Sequence, residues 1–294
     1  MKIVSKFLWG LIFFLFVCLN VLLFHYFLNY SEYYQLHMTT NEQEDFRSMN
    51  FGKYGLAGTK RYAIENQLDF FDVLTTYMVK ENFDLQKTKE TSVDKLPYLK
   101  LHQELIETKK DSFLLLKASY QAILEDLVYF PIPKSERKND LDVDYSNSWN
   151  DVRTYGGERR HEGTDIMARI NQRGIYPVLS MSNGIVEKVG WLEQGGWRIG
   201  IRTPSGAYLY YAHLYNYARD WKVGDTVLAG EFLGFMGDSG YGKTEGTVGN
   251  FAVHLHLGIY IATQNHQEIS VNPYWILKSL EDSTLSYNDE MFRK

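Results

Sequence analysis

The sequence has a single cysteine, Cys18, among its 294 residues. One cysteine excludes an intramolecular disulfide, and it also excludes zinc sites that are built from two or four cysteines. The H-E-x-x-H motif of helix-borne metalloproteases is absent as well. A transition metal bound to this chain must therefore be held by histidine, aspartate or glutamate side chains.

An excess of basic residues is also missing. The 31 Lys and Arg residues are outnumbered by 36 Asp and Glu residues, which gives a formal net charge of −5 at pH 7. Proteins that bind nucleic acid normally carry a basic patch or stripe. We therefore expect no nucleic-acid partner.

One stretch fits the pattern of a nucleotide-binding loop. The sequence "GDSGYGKT", residues 237–244, matches G-x-x-x-x-G-K-[ST]. A phosphate-binding loop of this kind opens a helix, but the residues that follow, "EGTVGNFAV", are rich in helix breakers. We therefore predict a glycine-rich turn with Lys243 at a groove rim or the surface, and no nucleotide partner.

The N-terminus carries a long apolar run over residues 7–28. As a helix this run is about 33 Å long, enough to cross the apolar core of a bilayer. Lys2 and Lys6 precede it, and the next basic residue is Arg47. The positive-inside rule then predicts a single-pass protein of the cell membrane: residues 1–6 form a cytoplasmic tail, residues 7–29 an uncleaved signal anchor, and the remainder lies outside the cytoplasm.

Residues 30–133 show helical patterns. An apolar stripe at steps of three and four predicts one amphipathic helix, and its members are Ile64, Leu68, Phe71, Leu74 and Met78. A second long helical pattern ends at the "PIP" sequence of residues 131–133. We predict a helical accessory or stalk region here. Residues 134–148, which are charged and polar, are predicted to be a linker.

The pattern changes at residue 149. Short alternating apolar runs such as "WRIGIRT" and "AYLYYAHL" follow, separated by turn signals such as "SNG" and "PSG". Several short strands at close spacing are typical of an all-β sandwich or barrel. We place this β domain at residues 149–280 and a C-terminal tail at residues 281–294.

The β domain holds four histidines in suggestive settings: His161, His213, His254 and His256. In "VHLHL", strand alternation places His254 and His256 on one face. One of them could bind a metal while the other lies beside a metal-bound water. Binding of one ion by both, or a structural pair of hydrogen-bonded core histidines, are the alternatives.

The sequence "HEGTD" offers two further ligand types, His161 and Asp165. On a straight strand they would lie about 13 Å apart, whereas two ligands of one ion have donor atoms within about 3 to 4 Å of each other. The segment must therefore bend, which Gly163 permits. With one histidine of the "HLH" pair, these residues would form a three-ligand site with an open position, the pattern of catalytic zinc.

The remaining "HLH" histidine and His213 are candidates for proton transfer and for stabilising an oxyanion. Strand alternation predicts that His213 shares a face with Leu209 and Tyr211. Taken alone, His213 would more often be structural.

The motifs "RRHEGTDI", "YAHL" and "HLHLGI", in this order, resemble the lysostaphin-like (LytM-type) zinc endopeptidases, which cut peptides of peptidoglycan. The resemblance covers residues 149–278. It implies an antiparallel β fold of the duplicated-hybrid-motif type with an open groove. By position, His161, Asp165 and His256 match the ligands of one Zn²⁺, and His213 and His254 match the two catalytic histidines. The segment "GKTEGTVGNFAV" looks longer than the usual link before the last motif.

This resemblance implies a membrane-anchored zinc metalloendopeptidase that hydrolyses peptide bonds of peptidoglycan. A water on the zinc would attack the scissile carbonyl, with two histidines for proton transfer and oxyanion stabilisation. The alternative is a non-catalytic module of the same fold that binds cell wall or a partner. Such a module would be marked by loss of a ligand or catalytic histidine, and all five residues are present.

Overall fold

The computed structural model describes residues 2–34, 36–86, 95–136, 141–155 and 157–287. The helices are α1 (Lys2–Tyr34), α2 (Glu44–Arg47), α3 (Gly52–Glu65), α4 (Phe70–Lys80), α5 (Lys95–Leu124) and α6 (Tyr274–Leu280). The strands are β1 (Lys134–Ser135), β2 (Val143–Asp144), β3 (Val152–Arg153), β4 (Arg159–Arg160), β5 (Thr164–Ala168), β6 (Pro177–Leu179), β7 (Gly184–Leu192), β8 (Gly196–Arg202), β9 (Tyr208–Tyr217), β10 (Thr226–Val227), β11 (Phe232–Met236), β12 (His254–Ile261), β13 (Ile269–Val271) and β14 (Ser286–Tyr287).

Helix α1 contains the apolar run. Its stretch Leu8–Tyr26 has a mean hydropathy of 2.3 and is not buried against the rest of the chain. By length and composition this helix is able to cross a membrane. The predicted span, residues 7–29, lies within α1.

The predicted single helix through residues 64–78 is wrong, because the chain breaks between α3 and α4. Gln67 adopts a φ of 55°, and the Asp69 carboxylate accepts a hydrogen bond of 2.9 Å from the Asp72 amide, which caps the start of α4. As a result Ile64, at the end of α3, is 69% exposed, whereas Met78 in α4 is fully buried. The regular spacing of apolar residues continues across the boundary between α3 and α4, which the Asp69 cap determines.

Ten strands form one antiparallel sheet in the order β10-β7-β8-β9-β12-β5-β2, with β13 beside β12, β11 beside β9, and β6 beside β11. Alternate side chains of the central strands enter the core, where Ile199, Leu209 and Leu257 are fully buried. The predicted β region preceded by a helical region is confirmed. Its finer assignment as a sandwich of duplicated-hybrid-motif type stays a prediction.

The segments predicted as linker and C-terminal tail both contribute strands. Strand β1 pairs in parallel with β14, and β2 pairs with β5 at the edge of the main sheet. Leu141 and Tyr287 are buried. The polar composition of these segments is compatible with strands because edge pairing uses the backbone and buries only alternate side chains. Residues 137–140 and 288–294 lie outside the described residues.

The helical region packs against the β region. The Arg47 guanidinium donates a hydrogen bond of 2.8 Å to the Ser270 carbonyl and lies 5.2 Å from the centre of the Trp149 ring. Farther along, the Glu42 carboxylate accepts two hydrogen bonds of 3.0 Å from Asn265. These contacts attach the helices beside β13, next to the strand that carries the "HLH" histidines.

Candidate metal centre and groove

Strand β12 presents the "HLH" pair as alternation predicts. It lies between β9 and β5, with His256 opposite Asp165 on β5. Leu255 and Leu257 point into the core and are fully buried. The imidazoles of His254 and His256 therefore project from the other face, towards β5.

The chain bends at Gly163, as the sequence predicted. Strand β4 ends at Arg160 and β5 begins at Thr164, so His161 lies outside the straight strand. A Cβ atom on Gly163 would lie 2.7 Å from the His256 ring and would also meet the carbonyl oxygen of Leu257. Only glycine fits this close approach of the two segments.

The bend brings three ligand atoms together. His161 Nε2, Asp165 Oδ1 and His256 Nδ1 lie 3.0 Å from one another in each of the three pairs. Two ligands that bind one zinc ion at about 2.1 Å each have donor atoms roughly this far apart. Among the described residues, these three form a group of His, Cys, Asp and Glu side chains with metal-site spacing.

The hydrogen-bond partners of this triad favour a cation at its centre. His161 Nδ1 lies 2.8 Å from the carbonyl oxygen of Ser148, which can only accept, and 3.0 Å from Arg153 Nη2, which can only donate. In the tautomer that donates from Nδ1 to Ser148, the shorter contact, Nε2 presents a lone pair. Arg153 Nη2 donates to Asp165 Oδ2 at 2.9 Å, which leaves Oδ1 for the triad. Converging lone pairs around a carboxylate suit a divalent cation.

A β-bulge positions His213. Between the pairs Ile199–Tyr211 and Trp197–Leu214, β9 contributes one residue more than β8. His213 lies in this bulge with a φ of 62°, in the left-handed region that non-glycine residues seldom occupy. Such a conformation costs about 1 to 3 kcal/mol and persists where the surrounding structure imposes it.

The bulge changes the face on which His213 lies. His213 lines the groove beside Tyr208 and Tyr210, whereas Leu209 and Tyr211 are fully buried in the core. The prediction that His213 shares a face with Leu209 and Tyr211 is therefore wrong. Alternation fails here because the extra residue shifts the side-chain phase by one position.

His213 and His254 lie side by side with the same tautomer. Their ring centroids are 4.7 Å apart. His213 Nδ1 lies 2.7 Å from the Ser239 carbonyl oxygen, and His254 Nδ1 lies 2.8 Å from the Ala252 carbonyl oxygen. Both Nδ1 atoms therefore carry the proton, and each Nε2 is free to accept one. His254 Nε2 lies 3.7 Å from Asp165 Oδ1, farther than the triad distances.

Burial keeps these imidazoles neutral. Desolvation lowers the pKa of His213, His254 and His256 below the usual 6.5, and for His213 the two neighbouring histidines lower it further. Asp165 acts in the opposite direction on all three without reversing the shift. Neutral imidazoles are the form that binds a metal and accepts protons.

The triad opens into a groove with a cavity of about 570 Å³. Aromatic residues that the sequence analysis did not select either line the groove or pack on residues that line it. Tyr155 stacks on Tyr241 with ring centroids 4.3 Å apart, and Phe251 packs on His213 at 4.6 Å. Tyr210 would have been found by strand alternation, but Tyr155 and Tyr241 lie in loops where no periodicity signals their direction. Among the groove residues are Arg159, Arg160, Glu162, Lys188, Arg198, Tyr208, Tyr210, Tyr241, Tyr260 and Glu268.

The stretch of residues 237–244 supports this site and opens no helix. Ser239 Oγ accepts a hydrogen bond of 3.0 Å from the Trp197 amide and donates one of 2.7 Å to the Leu214 carbonyl. The Ser239 carbonyl receives the His213 Nδ1–H. The glycine-rich turn predicted from the sequence therefore holds the bulge that carries His213.

The neighbouring Asp238 closes the base of the loop that follows. Its buried carboxylate pairs with Arg173 and accepts a hydrogen bond of 3.0 Å from the Gly249 amide. At the tip, Tyr241 reaches the groove. Lys243 is exposed and does not line the groove, so the surface position predicted for it agrees with the structure.

Comparison with known proteins identifies the family. Residues 159–273 match Peptidase family M23. The chain is 43% identical over 152 residues to the L-Ala–D-Glu endopeptidase of Bacillus subtilis (strain 168). The matched stretch covers 52% of this chain and 43% of that protein. It is 35% identical over 98 residues to lysostaphin of Staphylococcus simulans, covering 33% of this chain and 17% of that protein. The chain thus spans less than half the length of these curated relatives.

A solved structure extends the likeness beyond the β region. The crystal structure of a candidate glycyl-glycine endopeptidase, lytM, from Ruminococcus gnavus superposes with a TM-score of 0.74 at 39% identity. It covers 87% of this chain and 98% of that chain, so it includes helical residues as well as the sheet. The resemblance drawn from the three motifs is confirmed, and the chain belongs to Peptidase family M23.

Proposed function

We propose that this protein is a membrane-anchored, zinc-dependent endopeptidase that hydrolyses peptide bonds of peptidoglycan outside the cytoplasm. The observation that carries the proposal is the convergence of His161 Nε2, Asp165 Oδ1 and His256 Nδ1 beside two histidines with free Nε2 atoms, in a groove open to a peptide. The family membership supplies the reaction class.

In this proposal His161, Asp165 and His256 hold one metal ion. Two imidazoles and a carboxylate form a donor set of catalytic zinc, and three protein ligands leave a position for water or substrate. When bound, Zn²⁺ would polarise the scissile carbonyl and make water a nucleophile near neutral pH. Arg153 holds the second oxygen of Asp165, which keeps Oδ1 directed into the triad.

His254 and His213 supply proton transfer and stabilise the developing oxyanion. In the tautomers set by Ala252 and Ser239, each Nε2 must accept a proton before it can donate one. A histidine that takes a proton from the attacking water can then donate it to the leaving amine or to the carbonyl oxygen. The depressed pKa values keep both imidazoles ready to accept at neutral pH.

The membrane part of the proposal rests on α1. Its apolar side chains are left exposed by the rest of the chain, with Trp9 69% and Phe13 70% exposed, which suits contact with lipid. Lys2 and Lys6 at the start of the helix support a cytoplasmic N-terminus by the positive-inside rule. We propose residues 7–29 as the anchor, the helices up to residue 133 as an accessory region, and residues 149–280 as the catalytic domain.

The substrate proposal follows the relatives. They include proteins named for cleavage at L-Ala–D-Glu and at glycyl-glycine bonds, so peptidoglycan peptides are the class that they share. Of the two alternatives drawn from the sequence, the peptidase is favoured over a non-catalytic module. All five site residues are present, four of them line the groove, and the His254 ring packs against that of His213 with centroids 4.7 Å apart.

The test uses the full chain in detergent micelles, loaded with Zn²⁺ and incubated with purified cell-wall sacculi. We expect new peptide amino termini, detected by mass spectrometry of the released fragments. Asp165→Ala is the matched negative control because it removes the anionic member of the triad. A folded, zinc-loaded protein that releases no new termini would refute the peptidase proposal.

A further inference from the structure

Among the charged side chains that line the groove, more of the positive than of the negative ones lack an ion-pair partner. Four basic side chains line it: Arg159, Arg160, Lys188 and Arg198. The acidic side chains that line it are Glu162, Asp165 and Glu268. Which of these charges remain free decides what the groove attracts.

Two of the three acidic groups and the lysine are already engaged, whereas Glu162 is exposed and receives only a long contact of 3.4 Å from the Tyr260 hydroxyl. Lys188 Nζ lies 3.3 Å from Glu268, which also pairs with Arg202. Asp165 is held by Arg153 and belongs to the metal triad. Within the described residues, by contrast, no carboxylate lies within salt-bridge distance of the three groove arginines, which are Arg159, Arg160 and Arg198.

Two of these arginines are partly desolvated and keep unused hydrogen-bond donors. The Nε atoms of Arg159 and Arg198 are buried and have no hydrogen-bond partner among the described residues. Arg159 Nη2 donates one hydrogen bond of 3.0 Å to the Tyr241 hydroxyl, and Arg198 Nη1 makes one long contact of 3.4 Å with the Gly190 carbonyl oxygen. A guanidinium has five N–H donors, so each retains several. A partly buried, unpaired cation gains more from an anion than an exposed one does.

Both arginines line the same cavity as the triad. Arg159 is two residues from His161, and Arg198 lies on β8, separated from His256 on β12 only by β9. Two strand spacings amount to about 10 Å, which an extended peptide covers in about three residues. Both arginines also act electrostatically on the same hydroxyl, that of Tyr210 between them.

We propose that Arg198 and Arg159 select substrates that carry a carboxylate within about three residues of the scissile bond. Acidic peptide segments are then cut in preference to neutral oligoglycine. This inference rests on the proposed peptidase function and narrows its substrate to a charged class of peptide.

The test compares two peptides that differ in one functional group. The first is L-Ala–γ-D-Glu–L-Lys–D-Ala with an amidated C-terminus, so that its one carboxylate is the α-carboxylate of D-Glu. The second carries a carboxamide at that position, and pentaglycine serves as a neutral reference. For the zinc-loaded full chain we expect kcat/KM to be about tenfold or more higher for the acid than for the carboxamide, mainly through KM.

Substitution identifies the residues responsible. In Arg198→Ala and Arg159→Ala, the ratio of kcat/KM between acid and carboxamide should fall towards one, while Arg198→Lys should retain part of it because the charge remains. Lys243→Ala removes an exposed cation outside the groove and should leave the ratio at the native value. Thermal unfolding of each variant identifies any that is misfolded.

The outcomes separate this inference from the proposed function. If the native protein cuts the acid and the carboxamide equally well, the carboxylate selection is refuted and the peptidase proposal stands. If neither peptide is cut, calorimetric binding of both peptides to the zinc-loaded protein decides. Tighter binding of the acid that is lost in Arg198→Ala supports the inference without turnover, and equal binding refutes it.

Discussion

His254 and His256 lie on one strand face, yet replacing each with alanine is predicted to have a different effect: loss of turnover for His254 and loss of zinc affinity for His256. His254 and His256 are two residues apart, both are largely buried, and burial lowers the pKa of both. They differ in distance from Asp165 Oδ1, which is 3.0 Å for His256 Nδ1 and 3.7 Å for His254 Nε2. Only His256 also reaches His161 Nε2. In the proposed function His256 therefore binds the metal and His254 transfers protons.

The expected magnitudes follow from these roles. Structural zinc sites bind with about 10 to 16 kcal/mol, so the loss of one of three protein ligands in His256→Ala should cost about 3 to 5 kcal/mol of binding free energy. This weakens affinity by about two to four orders of magnitude. His254→Ala should keep the metal and lose about 10²- to 10⁴-fold in kcat, the usual contribution of a positioned acid or base.

The assay measures zinc affinity by competition with a chromogenic chelator and turnover on sacculi with zinc in excess. His266→Ala, in an exposed loop, is the control and should behave as the native chain. If His254→Ala loses zinc as strongly as His256→Ala, the division between ligand and catalytic histidine is wrong. Retention of native zinc affinity by His256→Ala would contradict the triad itself.

Three further outcomes are expected. Burial lowers the pKa of His213, His254 and His256, so below pH 6.5 the unfolded chain binds more protons than the folded chain does. The contribution of these histidines to the stability of the metal-free protein should therefore be complete above pH 6.5 and decline below it. A melting temperature that is constant from pH 7 to pH 5 would contradict this. Gly163→Ala forces a Cβ against the His256 ring, so it should lower the free energy of unfolding in urea by about 1 to 3 kcal/mol and weaken zinc binding. Gly58→Ala, in open space on α3, is the control and should raise the free energy of unfolding by about 0.5 to 1 kcal/mol. Dialysis against 1,10-phenanthroline should abolish turnover and added Zn²⁺ should restore it; activity that survives removal of the metal would exclude a metal-dependent reaction.

The β region, the shared face of His254 and His256 and the bend between His161 and Asp165 were predictable because local rules decide them, whereas the choice of His256 as the third ligand came from the resemblance to the endopeptidase family. Strand alternation placed His254 and His256 on one face, and the need to join ligands four residues apart required the bend at Gly163. Each of these inferences uses only neighbours in sequence.

Other features depend on contacts distant in sequence and were missed. The bulge at His213 exists because Ser239, 26 residues away, holds the imidazole and the adjacent backbone. The break between α3 and α4 depends on a cap at Asp69 that outweighs a continuous apolar spacing. The strands β1 and β14 pair across almost the whole β region, which no local pattern signals.

The contacts of Asp238 that join the two ends of the loop after it bear on how that loop can vary in sequence and length. The chain leaves Ser239 and returns at Gly249, and the Asp238 carboxylate joins the two ends while the Gly240 amide donates to the Thr247 carbonyl at 2.9 Å. We expect residues 243–246, which lie between these contacts, to tolerate changes in number or composition without moving the backbone that holds His213. Tyr241 is not among them because its ring packs on that of His213, with centroids 5.8 Å apart. For the proposed peptidase, we therefore expect that grafting a different loop at residues 243–246 alters which peptides are cut and leaves the rate of the chemical step largely unchanged.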